Sequence, residues 1–168
     1  MTTSGASWLV GGGTCNASAM TLMRHEIDLS SPPEAALAYA CTATLWPEWH
    51  PSSLAVRAQA GPLPAGARFD EDIHAGGRPG HLTWEVVAYV PGRRWQAVAE
   101  GDRGLRLVLT YEVSPVAGGT RFVRKLDYHL SGWLLALADR LVLRRRIERE
   151  SAVSLRQLRD VVERAGRG

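Results

Sequence analysis

The C-terminal part of the chain carries a ladder of nine positions spaced alternately three and four residues apart. The rungs are Leu134, Leu137, Leu141, Arg144, Glu148, Ser151, Leu155, Leu158 and Val162. This spacing places all nine on one face of a helix, which we predict to run from about Trp133 to Arg164. Because the outer rungs are apolar and the three central rungs are polar, the helix should face a core through a polar window.

Between Leu54 and Leu130 the helical pattern gives way to alternation of apolar and polar residues. The turn signals that divide this segment are Gly61-Pro62, Gly76-Gly77, Pro91-Gly92, residues 101–104 and Gly118-Gly119. Alternation is clearest over 105–113 and 121–130, and positions 82, 84, 86, 88 and 90 follow a similar register. We therefore predict about six consecutive antiparallel strands with one buried face.

The N-terminal region predicts one more strand and two short helices. Residues 21–29 read as a strand, and the Ser and Pro residues at 30–33 favour the start of a helix over about 34–42. Next, residues 45–51 place Trp46, Trp49 and His50 in a corner whose two prolines allow only a brief helical turn. This order of elements predicts a two-layer α+β domain in which a bent sheet wraps on the last helix and leaves a pocket.

Composition fits one soluble domain, since 45% of the 168 residues are hydrophobic and 22% are charged. We expect residues 1–19 to be a disordered leader or a start placed too early, 20–165 to be a single ligand-binding domain, and 166–168 to be a tail. No run approaches the roughly 18 apolar residues of a membrane span, and the leader lacks the basic region of a signal peptide. A cytoplasmic protein without stable membrane insertion, monomeric or homodimeric, is therefore expected.

Several short motifs connect these elements in a recognisable order. They are Ser31-Pro32-Pro33-Glu34-Ala35, Trp46-Pro47-Glu48-Trp49, Gly66 before Arg68-Phe69, Trp84-Glu85-Val86, Val90-Pro91-Gly92-Arg93, Tyr111-Glu112-Val113-Ser114-Pro115 and Gly118-Gly119-Thr120-Arg121-Phe122-Val123. With them the chain resembles the START/Bet v1-like helix-grip superfamily (SRPBCC), and within it the bacterial polyketide cyclase/dehydrase-like branch, over about Met20 to Ala165. The resemblance implies a curved antiparallel sheet of about seven strands on a long C-terminal helix. It also implies a deep cavity for a hydrophobic or amphipathic small molecule.

Polar residues in inward register are the candidates for chemistry. Arg124 shares the phase of Phe122 and Leu126, and Glu71 that of Phe69 and Ile73, so both should point inward. The polar rungs Arg144 and Glu148 are four residues apart and could pair with each other. Two alternatives to a ligand site remain. The charged residues could form a structural salt-bridge network, or the polar ladder positions could lie outside the core where the helix passes the rim of the sheet.

We expect a small-molecule pocket with apolar walls and a few polar groups. The residues predicted to line it are Trp46, Trp49, Phe69, Glu71, Trp84, Trp95, Leu107, Leu109, Tyr111, Arg124, Tyr128, Leu141, Arg144, Glu148 and Ser151. Trp46, Trp49 and His50 could form a lid over this pocket, or the two tryptophans could be core anchors.

Other chemistries lack support in the sequence. The histidines do not have the spacing of metal ligands, and the sequence has no phosphate-binding glycine loop or nucleophile elbow. Two cysteines, Cys15 and Cys41, are too few for a disulfide framework and do not form a metal-binding motif. We therefore expect no metal and no cofactor. The run Arg144-Arg145-Arg146 points in different directions around a helix, so a solvated surface is the default interpretation and no nucleic-acid partner is expected.

The leading hypothesis is binding of a hydrophobic or aromatic small molecule, polyketide-, lipid- or quinone-like, in an internal cavity. The alternative is a polyketide cyclase or dehydratase, a lyase without cofactor. In it Arg124 or Arg144 would stabilise an enolate or alkoxide, and Glu71, Glu148 or His81 would move the proton. A carrier or chaperone for quinone or lipid is a third possibility, distinguished by a ligand that copurifies without turnover.

Overall fold

A computed structural model describes residues 21–75, 77–130 and 137–165 of the chain. Its strands are β1 (Thr21–Leu29), β2 (Ser53–Arg57), β3 (Arg68–Ala75), β4 (Arg78–Val90), β5 (Arg94–Gly101), β6 (Leu105–Val116) and β7 (Gly119–Leu130). They form one antiparallel sheet in the order β1-β7-β6-β5-β4-β3-β2. The predicted first strand and the six that follow the short helices are confirmed.

Three α-helices accompany the sheet in the described part of the chain. They are α1 (Pro33–Cys41), α2 (Trp46–Trp49) and α3 (Leu137–Ala165), and short 3₁₀ turns occupy Ala43–Leu45 and Asp102–Gly104. Pro33 opens α1 because its fixed φ and missing N–H suit a first helical turn. The predicted start of α3 near Trp133, the leader 1–19 and the tail 166–168 lie outside the described residues.

The sheet curves around α3, so that one face, which we call the concave face, is turned to the interior. Facing pairs across neighbouring strands, Trp95 with Tyr111 and Tyr111 with Arg124, show how the inward side chains form continuous rows. Among the ladder positions whose burial the structure describes, Ser151, Leu155, Leu158 and Val162 are deeply buried, whereas Arg144 is exposed. This is the predicted helix-grip architecture, and it confines the interior between one helix and one sheet.

Strand β4 differs from its predicted register. An irregularity between Val86 and Ala88 shifts the pairing with β5, and Tyr89 then lies opposite the inward-facing Trp95. Val86 is buried, whereas Val90 is 50% exposed. The expectation that Ala88 and Val90 continue the inner register of Val86 is therefore wrong, because a bulge exchanges the two faces of the strand.

A cluster of aromatic side chains fills one end of the interior, beneath α1 and α2. We call this end, where the β4–β5 and β6–β7 turns lie, the closed end. The aromatic cluster comprises Trp46, Trp49, Phe69, Trp84, Trp95, Tyr111 and Phe122, all at most 3% exposed. Trp46 is its centre, with edge-to-face contacts at 5.5 Å to Phe69, 5.5 Å to Trp84 and 6.1 Å to Trp95. Such contacts add to the energy of simple area burial.

Candidate functional site

Arg124, halfway along β7, is a cation in the interior with only 4% of its surface exposed. Its Nη1 donates to Ser151 Oγ at 2.7 Å and its Nη2 lies 3.0 Å from His50 Nε2. Among the described residues no carboxylate lies within ion-pair distance of it, and its Nε has no hydrogen-bond partner. A buried guanidinium without a counter-ion is costly, which makes this position a candidate for ligand binding.

His50, the residue that follows α2, is held neutral beside Arg124. Burial, and to a smaller extent the Arg124 charge, lower the pKa of its imidazole from 6.5 to about 3. Because a guanidinium can only donate, His50 Nε2 must accept, and the ring proton is then on Nδ1. That Nδ1 is buried and has no partner among the described residues.

Glu71, in β3, supplies the carboxyl group of the interior. It is 3% exposed, and Trp84 Nε1 donates to its Oε2 at 2.8 Å. Burial raises the pKa of Glu71 to about 7, while the Ser53 and Trp84 side chains and the Arg124 charge oppose that rise. Near neutral pH this carboxyl is therefore divided between its acid and its carboxylate, as a group that exchanges protons must be.

These residues form a polar cluster, which we define as Trp49, His50, Glu71, Tyr111, Arg124 and Ser151. Four polar atoms of the cluster are buried without a partner in the described part of the chain: Trp49 Nε1, His50 Nδ1, Tyr111 Oη and Arg124 Nε. The first two and the last carry only a proton to donate, and burial raises the pKa of Tyr111 so that its hydroxyl also keeps its proton. Three of these four unpaired atoms can therefore only donate, and the fourth, Tyr111 Oη, can donate as well as accept.

The end of the interior opposite the closed end is less densely covered, and we call it the open end. It lies at the β3–β4 and β5–β6 turns. Ile73, Leu105 and Leu107 belong to the concave face there but stay partly exposed. On the facing part of α3, Arg144 and Glu148 pair at 2.9 Å with side chains 51% and 38% exposed. The predicted Arg144–Glu148 pair is confirmed, and the two residues occupy the rim of the interior, whereas Ser151 lies inside.

The structure places most predicted site residues on the concave face. Arg124 and Glu71 are buried as predicted, and Phe69, Trp84, Trp95, Leu109, Tyr111 and Tyr128 lie with them. Trp46 and Trp49 are 2% and 0% exposed within the aromatic cluster, which agrees with their interpretation as core anchors. The side chain of Leu141 lies outside the described part of the structure.

His81 is the candidate that the structure removes from the interior. Since Leu82 faces inward opposite Glu71, alternation turns its neighbour His81 to the outer face. There its ring contacts Asp72 at 2.8 Å and Asp70 at 3.3 Å. These carboxylates, Asp72 first, raise the pKa of His81, which fits an exposed ion-pair network on the outer face.

Two histidines near Arg124 escaped the sequence-based selection of cavity residues. His50 was considered only as part of a lid, because it lies in a connection where no periodicity shows its direction. His25 lies opposite Arg124 in the β1–β7 pairing, and its pKa is lowered by burial and by Arg124. Its shared phase with Met23 and Ile27 is a signal that could have identified it.

Elsewhere in the described part of the chain, the candidates for a functional site are weaker than the polar cluster. No group of three His, Cys, Asp or Glu residues there could hold a metal ion. Two surface grooves of about 490 and 450 Å³ meet at Tyr39, near α1 and the end of α3. Neither is lined by a residue of the polar cluster, and the Tyr39 hydroxyl is already bonded to Glu48 at 2.9 Å. No helix in the described part is long and apolar enough to cross a membrane.

A curved sheet gripping one long helix, with buried polar groups between them, defines the helix-grip class. Within it the chain belongs to the polyketide cyclase/dehydrase and lipid transport family, whose model matches residues 20–163. A search of the curated proteins finds no match.

Solved structures of similar fold are numerous. A Streptomyces aromatase/cyclase matches with a TM-score of 0.70 and 14% identity, over 87% of this chain and 96% of its own. A START superfamily protein from Mycobacterium smegmatis matches with a TM-score of 0.68 and 14% identity, over 88% of this chain and 99% of its own. A Thermus thermophilus protein matches with a TM-score of 0.73 and 20% identity, over 86% of this chain and 99% of its own. At these identities the likeness concerns the fold alone.

Proposed function

We propose that the protein binds a hydrophobic or aromatic small molecule between α3 and the concave face, with oxygen atoms of the ligand at the polar cluster. The observation that carries the proposal is the excess of buried donors around Arg124. A buried donor without an acceptor costs about 1–3 kcal/mol, so several together favour a bound molecule that supplies acceptors. Carbonyl, carboxylate or phenolate oxygens have this character.

The apolar surroundings determine the rest of the ligand. Leu107, Leu109, Leu126 and Tyr128 line the concave face between the polar cluster and the open end. A ligand entering at the partly exposed Leu107 would bring an apolar body against these side chains and its polar end to Arg124. Apolar walls with a few placed polar groups are the usual composition of a small-molecule site.

The test combines identification of a copurifying ligand with thermal shifts. Wild-type protein is analysed by native mass spectrometry and then melted against polyketide-, quinone- and fatty-acid-type compounds that carry such oxygens. Compounds present at about 100 times Kd should stabilise the wild type by about 2.7 kcal/mol. Arg124→Met should lose most of this stabilisation.

Arg121→Met is the matched control, because Arg121 lies on the same strand but on the outer face, paired with Asp28 at 3.0 Å. It should respond to ligands like the wild type. If no compound shifts the melting temperature and nothing copurifies, or if both arginine variants respond alike, the proposed role of Arg124 is wrong.

A second candidate function, cyclisation with loss of water from a poly-β-ketone, is favoured by one observation. Glu71 has a pKa near 7 and lies in the same interior as Arg124, so one group can exchange a proton while the other stabilises an enolate. The residues proposed for this chemistry are therefore Glu71 and Arg124. Glu148, half-exposed and paired with Arg144, is less suited to it.

The enzymatic alternative is tested with Glu71→Gln, which keeps the shape of the side chain but cannot exchange the proton. Turnover of a poly-β-ketone thioester, followed by chromatography of cyclised products, should fall about 100-fold or more. Glu85→Gln is the control, since Glu85 faces outward in the ion pair with Arg68. Equal rates in wild type and Glu71→Gln would exclude Glu71 from catalysis.

A further inference from the structure

The charge of this protein is concentrated on one helix. The segment that forms α3 holds eight arginines and five acidic residues, so its net charge of +3 equals that of the whole chain. The remainder of the chain is balanced. An uneven distribution of this kind creates a local positive potential without a large total charge.

On the N-terminal half of α3, two arginines face solvent without a counter-ion. Arg145 and Arg149 are both exposed, and neither has an ion-pair partner among the described residues. They are four residues apart, so like charges lie about 6 Å from each other along one face, an arrangement that destabilises a helix slightly. An anionic partner would remove that repulsion.

Two acidic residues of this half of α3 are already engaged. Glu148 is paired with Arg144, and Glu150 accepts a hydrogen bond from Ser52 at 2.8 Å. The second contact ties this part of the helix to the start of β2, at the open end of the interior. The unneutralised arginines therefore lie beside the opening through which a ligand would pass.

Exposed apolar side chains lie at the same end of the molecule. Leu54 is 58% exposed at the start of β2, and Leu22 is 55% exposed at the start of β1. These are the two edge strands of the sheet. Exposed arginines and exposed leucines at one end of a molecule match the headgroup layer of a bilayer, where the charges meet phosphates and the leucines enter the acyl boundary.

We propose that the open end docks peripherally on a bilayer containing anionic lipids, with Arg145 and Arg149 at the headgroups and Leu54 in the interfacial layer. A bilayer is favoured over an acidic protein by the exposed leucines, which an arginine-only contact would not need. This docking face goes beyond the proposed function and does not depend on it. It would place the opening against the source or destination of an apolar ligand.

The experiment is cosedimentation of the full chain with vesicles of phosphatidylcholine alone and of phosphatidylcholine mixed with phosphatidylglycerol. We expect binding only to the anionic vesicles, weakened by salt. Arg145→Gln with Arg149→Gln should weaken it about thirtyfold, which corresponds to about 1 kcal/mol for each arginine near the surface. Leu54→Ser should weaken it about threefold to tenfold.

Arg159→Gln with Arg164→Gln is the matched control. It removes the same charge from the same helix, towards the closed end. Arg159 lies about 15 Å from Arg149 and about 21 Å from Arg145 along the helix, more than one Debye length in both cases. Its binding should stay within about twofold of wild type. Equal losses in the two double variants would mean attraction by total charge, and the docking face would be wrong.

Two further results would overturn the proposal. The first is no binding to anionic vesicles at physiological salt. The second is binding to soluble polyglutamate as tight as to anionic vesicles, with no effect of Leu54→Ser on either, which would identify an acidic polypeptide as the partner. Ligand-induced thermal shifts without vesicles should be the same in wild type and in the Arg145/Arg149 variant, which separates this failure from failure of the proposed ligand site.

Discussion

The closed end and the open end of the interior differ in how densely the concave face of the sheet is covered. At the closed end, aromatic rings pack in edge-to-face and stacked contacts beneath α1 and α2, and Trp95 and Tyr111 are completely buried. At the open end, Leu105 and Leu107 point to the same interior but stay partly exposed, and α3 contributes an exposed ion pair. One sheet face is thus packed as a core at one end and left accessible at the other.

With the ligand site proposed above, this difference would assign stability and binding to separate parts of one interior. The closed end excludes solvent and needs no ligand to be complete. The open end leaves apolar surface and, further inside, donors without acceptors, both of which a ligand would satisfy. Substitutions at the closed end should therefore change the free energy of unfolding, and substitutions toward the open end should mainly change binding.

The largest effect is expected from Trp46→Ala at the closed end. Trp46 contacts three other rings, and its Nε1 donates to the Ala40 carbonyl at 2.9 Å, so truncation leaves both a cavity and an unpaired carbonyl. We expect a loss of about 3–5 kcal/mol in urea denaturation. The partly exposed Leu107→Ala at the open end should cost less than half as much. Equal losses would mean that both ends are packed alike.

The next effect concerns pH and distinguishes the polar cluster from the surrounding core. Glu71 binds its proton more tightly in the folded state, because its pKa rises from 4.5 to about 7. Relative to Glu71→Gln, the wild type should therefore lose stability as pH rises from 4.5 to above 7, by on the order of 3 kcal/mol. Urea denaturation of both proteins across this range measures the difference.

The wild type must be compared with the Glu71→Gln variant because His50 changes stability with pH in the opposite direction to Glu71. Its folded pKa of about 3 lies below the ordinary 6.5, so its contribution to stability is present above 6.5 and is lost as pH falls toward 3. The two effects oppose each other between 4.5 and 6.5 in the wild type. A difference between wild type and Glu71→Gln that does not vary with pH would show that Glu71 titrates normally.

The smallest effect is expected at the rim of the open end. Arg144→Leu breaks an i, i+4 pair in which both side chains are well exposed and the arginine comes first, the weaker orientation. Stability should change by no more than about 0.5 kcal/mol in thermal denaturation. A loss of several kcal/mol would mean that the pair is part of the core, contrary to its position at the opening.

Periodicity predicted the architecture well, because an element that buries one face along its whole length must repeat apolar residues at the period of that element. Seven strands, two short helices and one long helix follow from alternation, turn residues and the ladder on α3. The failure in β4 is instructive, since one extra residue near Val87 exchanges the faces of the strand while leaving its composition unchanged. A bulge depends on pairing with β5, which the sequence of β4 alone does not contain.

The candidate site could be predicted only in part. Arg124 and Glu71 were found because an inward phase in a strand forces a charge into the interior. Arg144 shares the helical face of Ser151 but lies beyond the region where the sheet covers it, and no local pattern reports where that cover ends. His50 acquires its role through a contact 74 residues away along the chain, and such contacts depend on the whole fold.

The pairing of the first strand with the last has a consequence for how the chain reaches its native state. β1 is hydrogen-bonded to β7, and Thr120 at the start of β7 also bonds the Ser31 carbonyl, 89 residues away. During synthesis β1 leaves the ribosome long before its partner exists, so the sheet cannot be completed until nearly all of the chain is available. We expect slow, late-closing folding, in which a nascent chain without β7 leaves the edge of β1 open to association with other chains.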